Sequence, residues 1–346
     1  MGTKRILIPV MAVVLLLTAG CSSMLERSYY SEEKHYEQYL EVDESSAVEV
    51  GDYRELKSAI LYFVEQGMNN GTVRAREYDG DITADLTEIC LSLQNDPMGA
   101  YAVEYISHEK VNMVTYSEVN VYFTYRVSKE QMQTLRDVSY YNLSEEFEKF
   151  FASGESYAAF NISYLSMTTE ELQQLFAQAQ DFAPAPAISE LMLYPDSGLQ
   201  RIVEITADYG MEKDDIQRRC TELEESIKGV LKDVPAAGDE EKCLWLAGAL
   251  ADKCAYDKNA GSEGYDALVN GAADSRGYAR AYMLLCRELD IDCEVVCGTK
   301  FGDEWYFNSV TLGEDTFYLD PATDDVQYGG ETWLRTAEEA AQIYTW

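Results

Sequence analysis

The chain has 346 residues, 47% of them hydrophobic and 12% aromatic, which excludes a disordered polymer and supplies apolar side chain for two or three domain cores. Its 62 Asp and Glu against 27 Lys and Arg leave a net charge of −35. That balance argues against nucleic acid as a partner, because phosphate binding works by replacing counterions with cationic side chains, and this surface repels a polyanion within a Debye length.

In chain order, Lys4 and Arg5 precede an apolar run from Ile6 to Leu17, followed by Thr18-Ala19-Gly20-Cys21. A permanent membrane span needs about 20 apolar residues, so this shorter run with its basic flank predicts a secretory signal. The segment Leu17-Thr18-Ala19-Gly20-Cys21 resembles the lipobox of bacterial lipoproteins. The resemblance implies a signal peptide over residues 1–20 and a mature N-terminus at Cys21, carrying diacylglycerol and palmitate-type acyl chains. Two such chains, at about 0.8 kcal/mol per buried CH₂, hold a soluble domain on the extracytoplasmic face of the cell membrane. Residues 21–50 combine that cysteine with an acidic stretch from Ser31 to Val50, read as a solvated tether extended by its own charge.

The middle of the chain reads as a tandem pair of small α+β units, over residues 51–138 and 139–234. In the first, Leu56, Ile60 and Phe63 mark a helix, and Leu86, Ile89, Cys90 and Leu93 mark a second. Val119, Val121, Phe123, Tyr125 and Val127 alternate as a strand, and Ser128 with Gln131 makes a capping box. The second unit repeats the plan: Phe147, Phe150 and Phe151, then a capping box at Thr168 and Glu171 before Leu172, Leu175, Phe176 and Ala179, then a strand at Val203, Ile205, Ala207 and Tyr209. His35 lies in the tether and His108 in a strand-like stretch, with no other histidine or cysteine within ten residues of either, and neither unit carries a catalytic pattern. Ala183-Pro184-Ala185-Pro186 reads as a rigid turn. Ile216, Cys220, Leu223, Ile227 and Val230 then give a helix with one buried stripe, and Asp233 to Glu240 is the best boundary.

From Glu241 the pattern is a helix ending at Cys254-Ala255-Tyr256-Asp257 and a loop to Tyr265-Asp266-Ala267-Leu268-Val269-Asn270-Gly271. A second helix opens at Ser275-Arg276-Gly277-Tyr278-Ala279, and short strands follow over Glu294 to Cys297, Glu304 to Val310 and Thr316 to Asp320. Tyr265 to Gly271, Gly277-Tyr278-Ala279, Asp290 to Cys293 and Leu319-Asp320-Pro321 together resemble the transglutaminase-like domain, a papain-related fold. The fold class expected is therefore α+β, with a transglutaminase-like domain over residues 235–346 behind the tandem pair. The resemblance implies a catalytic cysteine two residues before the Gly-Tyr-Ala, a histidine three residues before an asparagine on the next strand, and an aspartate before proline that orients it. Here those positions hold Ser275, Trp305 and Asp320.

That substitution can be weighed without the family. A serine hydroxyl is a weak nucleophile until a base takes its proton, the usual base is an imidazole, and no histidine follows His108. No catalytic residue is assigned on this ground. Ser275 reads as a helix N-cap. Trp305 fills the space of the missing imidazole, or else lines a groove with Tyr306, Phe307, Asn308 and Tyr278 where aromatic faces stack on sugar or peptide. Asp320 reads as a hydrogen-bond acceptor fixing nearby backbone.

Cys243 and Cys254, on one helix, lie about 16 Å apart and cannot pair. The cysteines from Cys220 onward read as small buried residues; no metal site and no cofactor is expected. Three functions follow: a membrane-anchored pseudoenzyme that binds peptide, glycan or protein; a hydrolase or acyl transferase using Ser275 with a lysine or Asp274 as unconventional base; or an assembly role carried by the tandem pair.

Overall fold

The computed structural model describes residues 47–322 and 334–346. The signal peptide, Cys21, His35 and most of the expected tether lie outside the described residues. The chain mixes helices with sheets and divides into two compact units. Of the described residues, 47–63 with Asn70–Leu86 and His108–Val121 form the first; Val64–Asn69, Thr87–Ser107, 122–322 and 334–346 form the second.

Folding begins earlier than the tether expectation allows. Strand β1 (Val48–Glu49) pairs in parallel with β2 (Asn70–Ala75), and Val48 and Val50 are each 4% exposed. Two valines around one acid are enough to bury a strand edge, which moves the start of the fold ahead of residue 51.

Helix α1 (Tyr53–Glu65) buries Leu56, Ile60 and Phe63. Helix α2 (Ile82–Ser92) buries Leu86 and Ile89 but leaves Cys90 half-buried. A short α3 (Pro97–Ala102) starts where Asp96 accepts the Gly99 N–H at 2.8 Å. Strand β3 (Val103–Asn112) carries His108, and β4 (Ser117–Tyr125) turns Val119, Val121 and Phe123 inward. The sheet order is β1-β2-β4-β3.

The next stretch repeats this wiring. Helix α4 (Lys129–Thr134) opens on the Ser128–Gln131 capping box. Then come β5 (Arg136–Asp137), α5 (Leu143–Ser153), β6 (Tyr157–Ile162), α6 (Thr169–Asp181), β7 (Ile188–Tyr194) and β8 (Arg201–Asp208), with sheet order β5-β6-β8-β7. In both sheets the first two strands are parallel. Setting aside the short α3 and α4, each stretch runs β-α-β-α-β-β with one strand order. Phe147, Phe151, Phe160 and Phe176 meet Val203 and Ile205 in the second core.

The C-terminal stretch starts with α7 (Lys213–Leu231), which buries Ile216, Leu223 and Ile227, and α8 (Asp239–Lys253), which buries Cys243, Leu246, Ala247 and Leu250. The segment expected as a loop after Cys254 is strand β9 (Ala255–Gly261), paired with β10 (Ala272–Ala273) around a π-helical turn at Asp266–Asn270. Helix α9 (Ser275–Arg287) then lies on a sheet of β11 (Asp292–Lys300), β12 (Asp303–Leu312), β13 (Asp315–Leu319) and β14 (Tyr344–Thr345), ordered β13-β12-β11-β14. Tyr278 and Tyr282 of α9 share a core with Val310 and Leu319 of the sheet. On the other side of the sheet, α10 (Ala337–Ala340) buries Ala340 beside Phe307 and Tyr344. Among the described residues no helix is long and apolar enough to cross a membrane.

Candidate functional site

Four motif residues hold α9 in place. Gly277 sits where the helix start meets the β9 end: a Cβ there would stand 2.8 Å from the Ala273 Cβ and 2.9 Å from the Gly261 carbonyl oxygen, so only glycine fits without a shift. The Tyr278 hydroxyl donates to the Cys254 carbonyl. Asn308 Nδ2 donates to the Ala279 carbonyl at 2.9 Å, fixing the helix to the sheet. Asp274 is the N-cap, its Oδ1 accepting the Gly277 N–H at 2.9 Å and its Oδ2 accepting the Ser262 hydroxyl at 2.5 Å.

This corrects one expectation and locates another residue. Ser275 is the first helical residue and not the cap; Asp274, one place earlier, takes that role with an equally suitable side chain. Asp274, offered as an unconventional base, has both oxygens engaged elsewhere. Ser275 itself is 7% exposed, and its Oγ accepts the Tyr306 backbone N–H at 3.3 Å, with no side-chain base on it among the described residues.

Asp320, just past β13, is fully buried. Its Oδ2 accepts the Trp305 Nε1–H at 2.9 Å, the Lys300 ammonium at 3.0 Å and the Tyr344 hydroxyl at 2.6 Å, while Oδ1 accepts the Ala322 N–H at 3.1 Å. The Lys300 Nζ stands 4.8 Å from the Trp305 ring centre and 5.1 Å from that of Tyr344, so one cation is held between two aromatic faces and a carboxylate. Tyr256 closes on Trp305 at 5.3 Å between ring centres. The structure thus brings Trp305 and Asp320 into direct contact, and places Ser275 on the backbone of the residue after Trp305.

Chemically this arrangement is rich in donors and poor in bases. An indole N–H donates only and an ammonium has no lone pair, so neither Trp305 nor charged Lys300 can take a proton from Ser275, and the Tyr344 hydroxyl is itself a donor to Asp320. Trp305 packs into the cluster of Phe307, Tyr318, Tyr344 and Ile343.

The groove expectation is corrected for three of its four members. Phe307, Asn308 and Tyr278 are 1%, 0% and 3% exposed, because each holds the sheet or α9 together from inside. Tyr306 is half-buried; its phenol donates to Glu304 at 3.2 Å, the Arg276 guanidinium lies 5.2 Å from its ring, and burial pushes its hydroxyl up to about 12.

The sequence reading missed Lys300 and Tyr344, whose partnership with Asp320 is set by pairing of β14 with β11 and has no local signal. It also missed a buried ionic group behind α9. Arg280 donates to Glu263 at 2.5 Å and to Asp181 of α6 at 2.8 Å. Burial pushes the Glu263 carboxyl above its ordinary value although Arg280 and Arg276 pull it down.

All seven cysteines among the described residues are free thiols. Cys243, Cys254 and Cys286 are buried as expected, whereas Cys220 and Cys293 are half-buried and Cys297 is exposed, which corrects the reading for those three. The neighbouring Cys286 and burial push the Cys243 thiol up, and burial does the same to Cys286.

No family model matches the chain, and no curated protein matches it. Among solved structures the chain is similar to a "TGase" at 13% identity, with a TM-score of 0.30, covering 61% of this chain and 63% of that one. It is also similar to a "Putative Cysteine Protease from Cytophaga hutchinsonii" at 15% identity, with a TM-score of 0.27, covering 40% of this chain and 62% of that one. The chain thus spans less than two thirds of either structure.

Proposed function

We propose that this chain is a lipid-anchored, extracytoplasmic protein whose residues 235–346 form a transglutaminase-like domain that binds and does not catalyse. The observation that carries the reading is the hydrogen bond from Trp305 Nε1 to Asp320 Oδ2. At the positions where the sequence resemblance puts an imidazole and its orienting carboxylate, the carboxylate is kept and its partner is a group that cannot accept a proton. In this reading Asp320 ties β11, β12 and β14 together through Lys300, Trp305 and Tyr344 and takes no part in proton transfer. Its ligand is a peptide, a glycan or a protein at the cell surface, reached from a membrane anchor at Cys21.

The test is turnover by the full chain, in detergent, of a glutaminyl peptide with and without an added primary amine. The expected result is hydrolysis and amine transfer no faster than in a Ser275→Ala variant. Turnover that depends on Ser275 overturns the reading.

A further inference from the structure

The face of the C-terminal sheet that α9 does not cover carries a second surface with its own chemistry. Side chains alternate across a strand, so Asn308 and Val310 point to α9 while Ser309 and Thr311 point the other way. Pairing aligns Asp292, Thr311 and Thr316 in one row and Glu294, Ser309 and Tyr318 in the next. Cross-strand neighbours stand about 5 Å apart and successive rows about 7 Å apart, which makes a small polar grid. A cavity of about 330 Å³ lies over it, walled at one end by Tyr318 and Trp346. That volume is at the small end of the range for small-molecule sites, about 300–1,000 Å³.

The wall is built in place. Trp346 packs against the buried Phe307 edge-on at 5.6 Å and against Tyr318 at 4.9 Å, yet it remains 49% exposed. Gly298 makes this possible, because a Cβ there would stand 2.6 Å from the Thr345 carbonyl oxygen and 3.1 Å from the Trp346 Cβ. The grid is also unspent. Among the described residues the side chains of Asp292, Ser309, Thr311 and Thr316 make no hydrogen bond to one another or to a neighbour, and Glu294 takes only Gln178 at 3.3 Å.

We propose that this cavity binds a neutral pyranose, as the end residue or a disaccharide unit of a glycan. A sugar ring has an apolar C–H face that stacks on an exposed indole, and a rim of hydroxyls that both donate and accept. The two carboxylates accept from hydroxyls at separate positions around the ring, and the Ser309, Thr311 and Thr316 hydroxyls supply donors in return. Anionic sugars are rejected by Asp292 and Glu294. The proposal stands apart from the reading of Ser275, Trp305 and Asp320, since its residues lie beyond Phe307 along the sheet and none is a partner of Asp320 in the contacts above.

The test is saturation-transfer NMR on the full chain in a sugar-free detergent with cellobiose, maltose and N,N′-diacetylchitobiose, followed by calorimetric titration of whichever responds. The expected result is transfer to the ring C–H protons of at least one of them, with affinity reduced about tenfold in Trp346→Ala and kept within about threefold in Trp346→Phe. Thr311→Val, on an open sheet surface, gives a second reading if the tryptophan variant unfolds, and weakens binding without changing the melting temperature. No transfer to any of the three sugars overturns the proposal, as does transfer that is equal in the wild type, Trp346→Ala and Thr311→Val.

Discussion

Trp305 donates its indole N–H to Asp320 across 2.9 Å, and it does so inside a layer where the carboxylate has no exposure to solvent. A buried carboxylate is costly unless its oxygens are occupied, so the tryptophan contributes to stability as a donor as well as through its packing.

Trp305→Phe keeps a ring in the layer and removes that donor. Lys300 and Tyr344 still reach Asp320, so the expected loss is about 1–2 kcal/mol by urea denaturation. An unchanged midpoint and slope would mean the bond has no structural role.

The pairing of Lys300 with Asp320 is testable by a double-mutant cycle. The two side chains are 13% and 0% exposed, and removing one leaves the other charge buried. Lys300→Met and Asp320→Asn are each expected to cost about 3–5 kcal/mol. The double variant is expected to cost less than the sum by at least about 1 kcal/mol, and strict additivity counts against the pair.

Glu263 predicts a pH dependence with a definite sign. Burial raises its folded value above the ordinary 4.5, against the pull of Arg280 and Arg276 and with a small push from Asp266. The native state therefore holds this proton more tightly than the unfolded chain. The associated stability is fully present below 4.5 and is lost as the pH rises through the raised folded value. Glu263→Gln removes the titration while Arg280 keeps Asp181 at 2.8 Å, so unfolding free energy measured between about pH 4 and about pH 8 should fall less steeply in the variant. A steeper fall in the variant contradicts the assignment.

Thiol reactivity should follow exposure. Under native conditions alkylation is expected first at Cys297, and at Cys243, Cys254 and Cys286 only after denaturant is added. Mass spectrometry of the alkylated peptides reads the order, and early labelling of Cys286 would contradict the packing of α9.

How much of this was legible in the sequence depends on the range of the interaction. Capping boxes are local, and Ser128–Gln131 and Thr168–Glu171 stand where their spacing put them. The helix stripes around Leu56 and Phe147 are buried as their period required, and that of Ile216 is buried at Ile216, Leu223 and Ile227 but half-buried at Cys220 and Val230. Strands of two residues have no period to read, so β1 and β5 left no trace, and β9, exposed over nearly its whole length, shows no alternation. Gly71 lies in β2, where the Phe63 ring occupies the space of a Cβ, 2.4 Å away. The motif around Gly277, Asn308 and Asp320 was readable as a set, but the meaning of its members was not. Asn308 looked available for a groove and is a buried strut, and Ser275 looked like a cap one residue after the real one. Lys300 and Tyr344 join Asp320 only through strand pairing, which no local window contains.

Membrane attachment through Cys21 has a simple readout. Cys21→Ser is expected to move the protein from the membrane fraction to the soluble extracytoplasmic fraction and to abolish incorporation of an alkyne-tagged fatty acid. Continued fatty-acid labelling in the variant would exclude Cys21 as the anchor.

In the function proposed above, no group among the described residues is placed to activate Ser275. Intact-mass analysis after incubation with a fluorophosphonate probe addresses this most directly, because the probe forms a stable adduct only with an activated serine. The expected result is no adduct on the folded full chain at any pH at which it remains folded. An adduct mapped to Ser275, and absent from Ser275→Ala, would contradict it.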